Sequence, residues 1–86
     1  MDSYQVEWKR SAVKELRKLP QQLISKIVAA VDRLALNPRP QGCRKLVGSE
    51  DTFRIRVGDY RVLYNIIENK LTVEIIRVGH RKDVYK

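Results

Sequence analysis

The spacing of apolar and polar positions changes period once along the chain, and the change divides a helical first part from a β second part. Tyr4, Val6 and Trp8 alternate with Gln5 and Glu7, which is the two-residue period of a half-buried strand. Ser11 is then placed to cap a short helix whose stripe is Ala12, Leu16 and Leu19, joined by Val13. Pro20 suits the first turn of a second helix, where its missing N–H is not needed. Leu23, Ile24, Ile27, Val28, Val31 and Leu34 follow at spacings of three and four, giving that helix one wide apolar face. Asn37-Pro38 ends it, because the residue before a proline disfavours helical backbone. Between Arg39 and Asp51 the chain has Pro40, Gly42 and Gly48 but only Leu46 and Val47 as an apolar pair, so it reads as a loop anchored in its middle.

From Thr52 the period is two. Phe53, Ile55 and Val57 fall on one face of a strand, with Arg54 and Arg56 on the other. Gly58-Asp59 is a turn pair that returns the chain as a second strand, Tyr60 to Ile67. That strand is apolar on both faces and therefore central. Glu68-Asn69-Lys70 turns into a third strand, Leu71 to Val78, and Gly79 releases it into a short basic tail. The helices have only the sheet to bury their stripes against. The expected fold is α+β, with two N-terminal helices packed on one face of a small, mainly antiparallel four-stranded sheet in the order β-α-α-β-β-β. No internal repeat or second domain is visible, so residues 1–86 are expected to form one domain.

Charge narrows the partners. A formal net charge of +8 on 86 residues implies a polyanion, either nucleic acid or an acidic protein segment. A single cysteine, Cys43, excludes an intramolecular disulfide and a thiolate metal cluster, and no metal or other cofactor is expected. Neither a signal-peptide pattern nor a run long enough to cross a bilayer is present, so the expected location is the cytoplasm, with no membrane partner.

The candidate chemistry lies from Arg54 onward, where Arg54, Arg56, Arg61, His80 and Arg81, followed by Tyr85, lie on or beside the β segments. Arg54 and Arg56 share a face, and Arg61 should come near them across the hairpin. Guanidinium stays protonated, is planar and meets two phosphate oxygens at once, which suits a phosphodiester. His80 is the one side chain of the group whose ordinary pKa lies near physiological pH. Taken singly, arginines on the outer face of a strand are the ordinary solvated surface, and only the conjunction points to a site. A second basic group, Arg10, Lys14, Arg17 and Lys18, recurs along one side of the first helix, and Arg44 and Lys45 lie in the loop. Both suit RNA phosphates, and the first helix's group equally suits a solvated helix face.

The element order, together with the stretches FRIRVGDYRVLY and RVGHRKDVY, resembles the RelE/ParE superfamily of bacterial type II toxins, and its RelE branch in particular. The likeness runs from Tyr4 to Tyr85. It implies a ribosome-dependent endoribonuclease, an mRNA interferase that cuts mRNA in the A site by attack of the RNA 2′-hydroxyl and so inhibits translation. It also implies an acidic, RelB-like antitoxin as cognate partner, the 70S ribosome and mRNA as further partners, and operator DNA reached only through the antitoxin. Within the resemblance Arg61 matches a phosphate-binding arginine, Arg81 an arginine at the scissile phosphate and leaving group, and Tyr85 a substrate-positioning tyrosine. Arg54 and Arg56 stand where the best-known RelE enzymes carry lysines, one of them implicated as base. An arginine has almost no neutral form to offer, so that role does not transfer to Arg56. Proton transfer is expected of His80 instead. Two other readings stay open: a ParE-like toxin that inhibits DNA gyrase without cutting RNA, and a plain RNA-binding module.

Overall fold

The computed structural model describes residues 3–85. Five strands and two helices follow in chain order: β1 (Gln5–Trp8), α1 (Arg10–Arg17), α2 (Gln21–Leu34), β2 (Arg44–Lys45), β3 (Thr52–Val57), β4 (Tyr60–Ile67) and β5 (Thr72–His80). The sheet order is β1-β5-β4-β3-β2, with β1 parallel to β5 and every other pair antiparallel. Ala12 and Leu16 from α1, and Ile27, Val31 and Leu34 from α2, share one core with Phe53, Ile55, Val62, Tyr64, Ile66, Val73, Ile75 and Val78. Both helices therefore bury their stripes on the same sheet face, as the α+β reading requires.

The sheet has five strands, not four. The expected loop from Arg39 to Asp51 contains β2, where Arg44 pairs with Arg54 and Lys45 with Phe53, and Leu46 N–H continues the pairing by donating to the Thr52 carbonyl at 2.9 Å. Alternation over two residues is too short a signal for a strand; the neighbouring edge of β3 makes it one. Val47 is fully exposed, so it anchors nothing. The loop is held at its start instead, where buried Tyr64 donates its hydroxyl to the Pro38 carbonyl at 2.7 Å and Arg39 lies 5.3 Å from the centre of the Phe53 ring.

The helix starts also differ from expectation. Lys9, not Ser11, is the residue before α1, and Ser11 lies inside the helix. Pro20 stands just ahead of α2 in extended conformation, where its carbonyl accepts the Leu23 and Ile24 N–H groups, both at 3.0 Å.

Two features of the β region place the candidate groups. Gly58 has φ +61° and Asp59 does not lie in the left-handed region, so the two-residue turn between β3 and β4 is of the type that needs glycine at its first position. In β5 the register against β4 slips: Leu63 pairs with Arg77 but Tyr64 with Ile75, which leaves Ile76 as an extra residue. Val73 and Ile75 face the core before this bulge, and Val78 faces it after. Gly79 does not release the strand; β5 runs on to His80, and Gly79 pairs with Arg61.

Candidate functional site

Paired residues of neighbouring antiparallel strands stand side by side on one face. The register therefore lays out the sheet face opposite the helices in two rows. One runs Arg44, Arg54, Leu63, Arg77 across β2, β3, β4 and β5, and the other runs Arg56, Arg61, Gly79 across β3, β4 and β5. Four of the expected cations, Arg44, Arg54, Arg56 and Arg61, thus share that face, and Arg77 joins them. Arg77 was not anticipated, because an unbroken two-residue period would have sent it to the core; the bulge reverses it.

After His80 the chain makes one tight turn, in which Asp83 N–H and Val84 N–H both donate to the His80 carbonyl, at 2.8 and 3.0 Å. The turn folds back over the arginine face. Val84 is 1% exposed and rests on Gly79, and Leu63 beneath is also buried. Tyr85 is thereby delivered to a hollow of about 470 Å³ lined by Arg44, Lys45, Leu46, Val47, Arg54 and Tyr85 itself. Nη1 of Arg54 is buried and has no hydrogen-bond partner. A buried guanidinium N–H without an acceptor is costly, and Arg54 is also one of the side chains that line the hollow. Arg54 and Arg56 also border a second hollow, of about 370 Å³, on the open edge of β3 beside Ala30 and Arg33 of α2.

Arg61 and Arg81 are both tied to the β3–β4 turn. Nη1 of Arg61 donates to the carbonyls of Gly58 and Tyr60, at 3.0 and 2.9 Å. Arg81 donates its backbone N–H to the Asp59 carbonyl at 2.8 Å, and its Nε lies 3.7 Å from Asp59 Oδ1 across an exposed pair. His80 is not brought to the arginine face. It pairs with Tyr60, on the parity of Val62 and Val78, and its ring meets the Tyr60 ring edge-on with centroids 5.5 Å apart. Lys82 N–H donates to His80 Nδ1 at 3.2 Å, which assigns the ring proton of the neutral form to Nε2. Arg10, Lys14, Arg17 and Lys18 are exposed on the helical layer, away from the arginine face. Among the described residues no group of three or more His, Cys, Asp or Glu side chains is placed to hold a metal ion, and no helix is long and apolar enough to cross a membrane.

Two short helices on one face of a sheet, with an arginine-rich opposite face closed by a C-terminal turn, define a small basic α+β protein of net charge +8. Residues 6–85 match the family described as ParE toxin of type II toxin-antitoxin system, parDE. The toxin RelG of Mycobacterium tuberculosis is 38% identical over 87 residues, covering 96% of this chain and 97% of RelG. The mRNA interferase toxin RelE of Escherichia coli is 33% identical over 86 residues, covering 93% of this chain and 85% of that protein. Among solved structures, a chain of the toxin-antitoxin complex RelBE2 from Mycobacterium tuberculosis superposes with a TM-score of 0.81 at 33% identity, covering 92% of this chain and 99% of the other. The chain belongs to the RelE/ParE superfamily of type II toxins.

Proposed function

We propose that residues 1–86 form one RelE-like toxin domain that acts as a ribosome-dependent mRNA endonuclease and is held inactive by an acidic, RelB-like antitoxin. The observation that carries this reading is the hollow in which Tyr85 meets Arg44 and Arg54, with one guanidinium nitrogen buried and unpaired. Similarity to RelE of Escherichia coli, named an mRNA interferase, supports the activity, and the solved toxin-antitoxin complex supports the partner.

In the proposed step the RNA 2′-oxygen forms a bond to phosphorus while the bond to the 5′-oxygen breaks. One proton leaves the 2′-hydroxyl and one reaches the departing 5′-oxygen. The step as written balances without a metal ion. Arg54, Arg56 and Arg61 neutralise the charge that builds on the phosphate, Arg81 attends the leaving group, and Tyr85 positions the nucleotide. Proton transfer is assigned to His80 acting from Nε2, the nitrogen not engaged by the Lys82 amide. Because His80 faces Tyr60, this role needs the RNA to pass over the end of the β4–β5 pair. The stripe on α1 contacts ribosomal RNA phosphates.

A gyrase-directed second reading has one observation in its favour, the ParE description of the matching family. One experiment decides. Purified ribosomes programmed with a short mRNA are mixed with the protein and cuts are mapped by primer extension, beside a gyrase-dependent DNA-break assay. Cuts within the A-site codon are expected, with loss of most of the rate in Arg81→Ala and His80→Ala. Normal cutting by His80→Ala would remove that assignment, and gyrase-linked breaks with intact mRNA would replace the reading.

A further inference from the structure

Glu15 belongs neither to the apolar stripe of α1 nor to its cationic side. Its carboxylate reaches β5, where Oε1 accepts the backbone N–H of Val78 at 3.0 Å and Oε2 accepts Nε of Arg77 at 3.2 Å. These are the first two residues after the unpaired Ile76. On this side of the sheet β1 accompanies β5 only as far as the Trp8–Ile75 pair, closed by Lys9 N–H donating to the Ile75 carbonyl at 2.9 Å. Beyond that point the acceptor for a β5 backbone amide comes from a helix side chain, where a neighbouring strand would otherwise supply it.

The location matters because a bulge is a choice of register. One extra residue sends every later side chain to the opposite face, and a strand free to slip can lose the bulge or move it along. Everything downstream depends on the choice: Gly79 beside Arg61, His80 beside Tyr60 with the Arg81 N–H on the Asp59 carbonyl, and Val84 seated on Gly79, which places Tyr85. Glu15 holds the two residues that fix it. The side chain is 28% exposed, so its two hydrogen bonds are partly shielded, and one of them is charge-assisted on both sides.

We propose that Glu15 is a positioning residue of the RNA-cleaving face: a carboxylate from α1 that locks the bulged end of β5 and so sets where Arg81 and Tyr85 stand. The inference rests on the cleavage reading above, and it adds a residue that touches neither RNA nor the arginine hollow. A side chain that acts through geometry changes the rate at the bound complex more than it changes binding.

The test compares wild type, Glu15→Gln and Glu15→Ala in cleavage on programmed ribosomes and in amide hydrogen exchange. Glu15→Gln retains an oxygen for the Val78 N–H and serves as the conservative rescue. For Glu15→Ala the expected result is a fall in kcat of roughly tenfold to a hundredfold with KM little changed, since misplacement by about 1 Å has that effect. The Val78 amide should exchange faster while the Ile66 amide, which donates to Asp51 in another part of the sheet, keeps its protection. Glu15→Gln should recover most of kcat and the Val78 protection. The proposal is overturned if Glu15→Ala cuts at the wild-type rate, if Val78 protection is unchanged, or if the Gln and Ala variants lose kcat and Ile66 protection alike, which is general destabilisation. If wild type itself does not cut mRNA, the cleavage reading fails and this role with it, whereas a cutting wild type with unaffected variants sinks this inference alone.

Discussion

Val84 sits directly on the backbone of Gly79: a methyl group added at Gly79 would stand 3.3 Å from Val84 Cβ. This packing is what folds the C-terminal turn back over the arginine face. Gly79→Ala should push the turn outward by a few tenths of an ångström and carry Tyr85 with it. The expected result is a loss of cleavage of roughly tenfold, from displacement of positioned groups, with a much smaller change in the urea midpoint. Equal activity of Gly79→Ala and wild type in the primer-extension assay would show that the turn does not position the site.

The proposed phosphate role of Arg54 implies an exchange of stability for binding. Its buried Nη1 lacks an acceptor in the free protein, so Arg54→Met should raise the free energy of unfolding by about 1 kcal/mol while lowering cleavage by roughly a hundredfold or more. Urea denaturation and single-turnover cleavage read the two effects separately. A variant that is both less stable and fully active would contradict this assignment.

The stripe on α1 should act on binding alone. Replacing Arg10, Lys14, Arg17 and Lys18 with glutamine should weaken ribosome binding and make the dependence of log K on log salt shallower by roughly 3, at about 0.7 to 0.9 for each phosphate left without its cation. The rate at saturating ribosomes should stay near wild type. An unchanged salt slope would identify the stripe as solvated surface.

Two tyrosines predict opposite limbs of the stability profile. Burial first, and Cys43 second, push the Tyr64 hydroxyl above its ordinary value of 10.0, so the folded protein keeps it neutral where the unfolded chain ionises. Its contribution is complete below that ordinary value and is lost as pH rises above it. Tyr64→Phe removes the hydroxyl that donates to Pro38 and should cost about 1–2 kcal/mol at neutral pH, a difference that narrows in alkali. At the acid end, the hydrogen bond from Tyr4, and then that from Arg39, hold the Glu68 carboxyl below its ordinary 4.5. That contribution is present above the ordinary value and is lost as pH falls through the depressed one. Glu68→Gln should therefore separate from wild type at neutral pH and converge with it in acid, measured as urea midpoints. Parallel curves at all pH values would exclude both linkages.

What the linear order determined is local. The apolar stripe of α2, that of α1 as far as Leu16, the Gly58-Asp59 turn, the arginine side of β3 and the double-sided apolar character of β4 each follow from side-chain periods within a few residues and stand in the structure, while Leu19 falls beyond the end of α1. The stretches shared with the RelE/ParE superfamily carried the family for the same reason, since those residues are contiguous. Tertiary structure alone decided the matters of register. Arg44 and Lys45 became a strand because β3 offers them an edge, Arg77 turned to the arginine face because Ile76 adds a residue to β5, and the same shift set His80 against Tyr60 instead of on the arginine face. Glu15 found its partners on a strand some sixty residues later in the chain. Backbone pairing between distant segments is chosen by the whole sheet at once, and a one-residue slip reverses every side chain beyond it, so no period read along the chain could have assigned those faces.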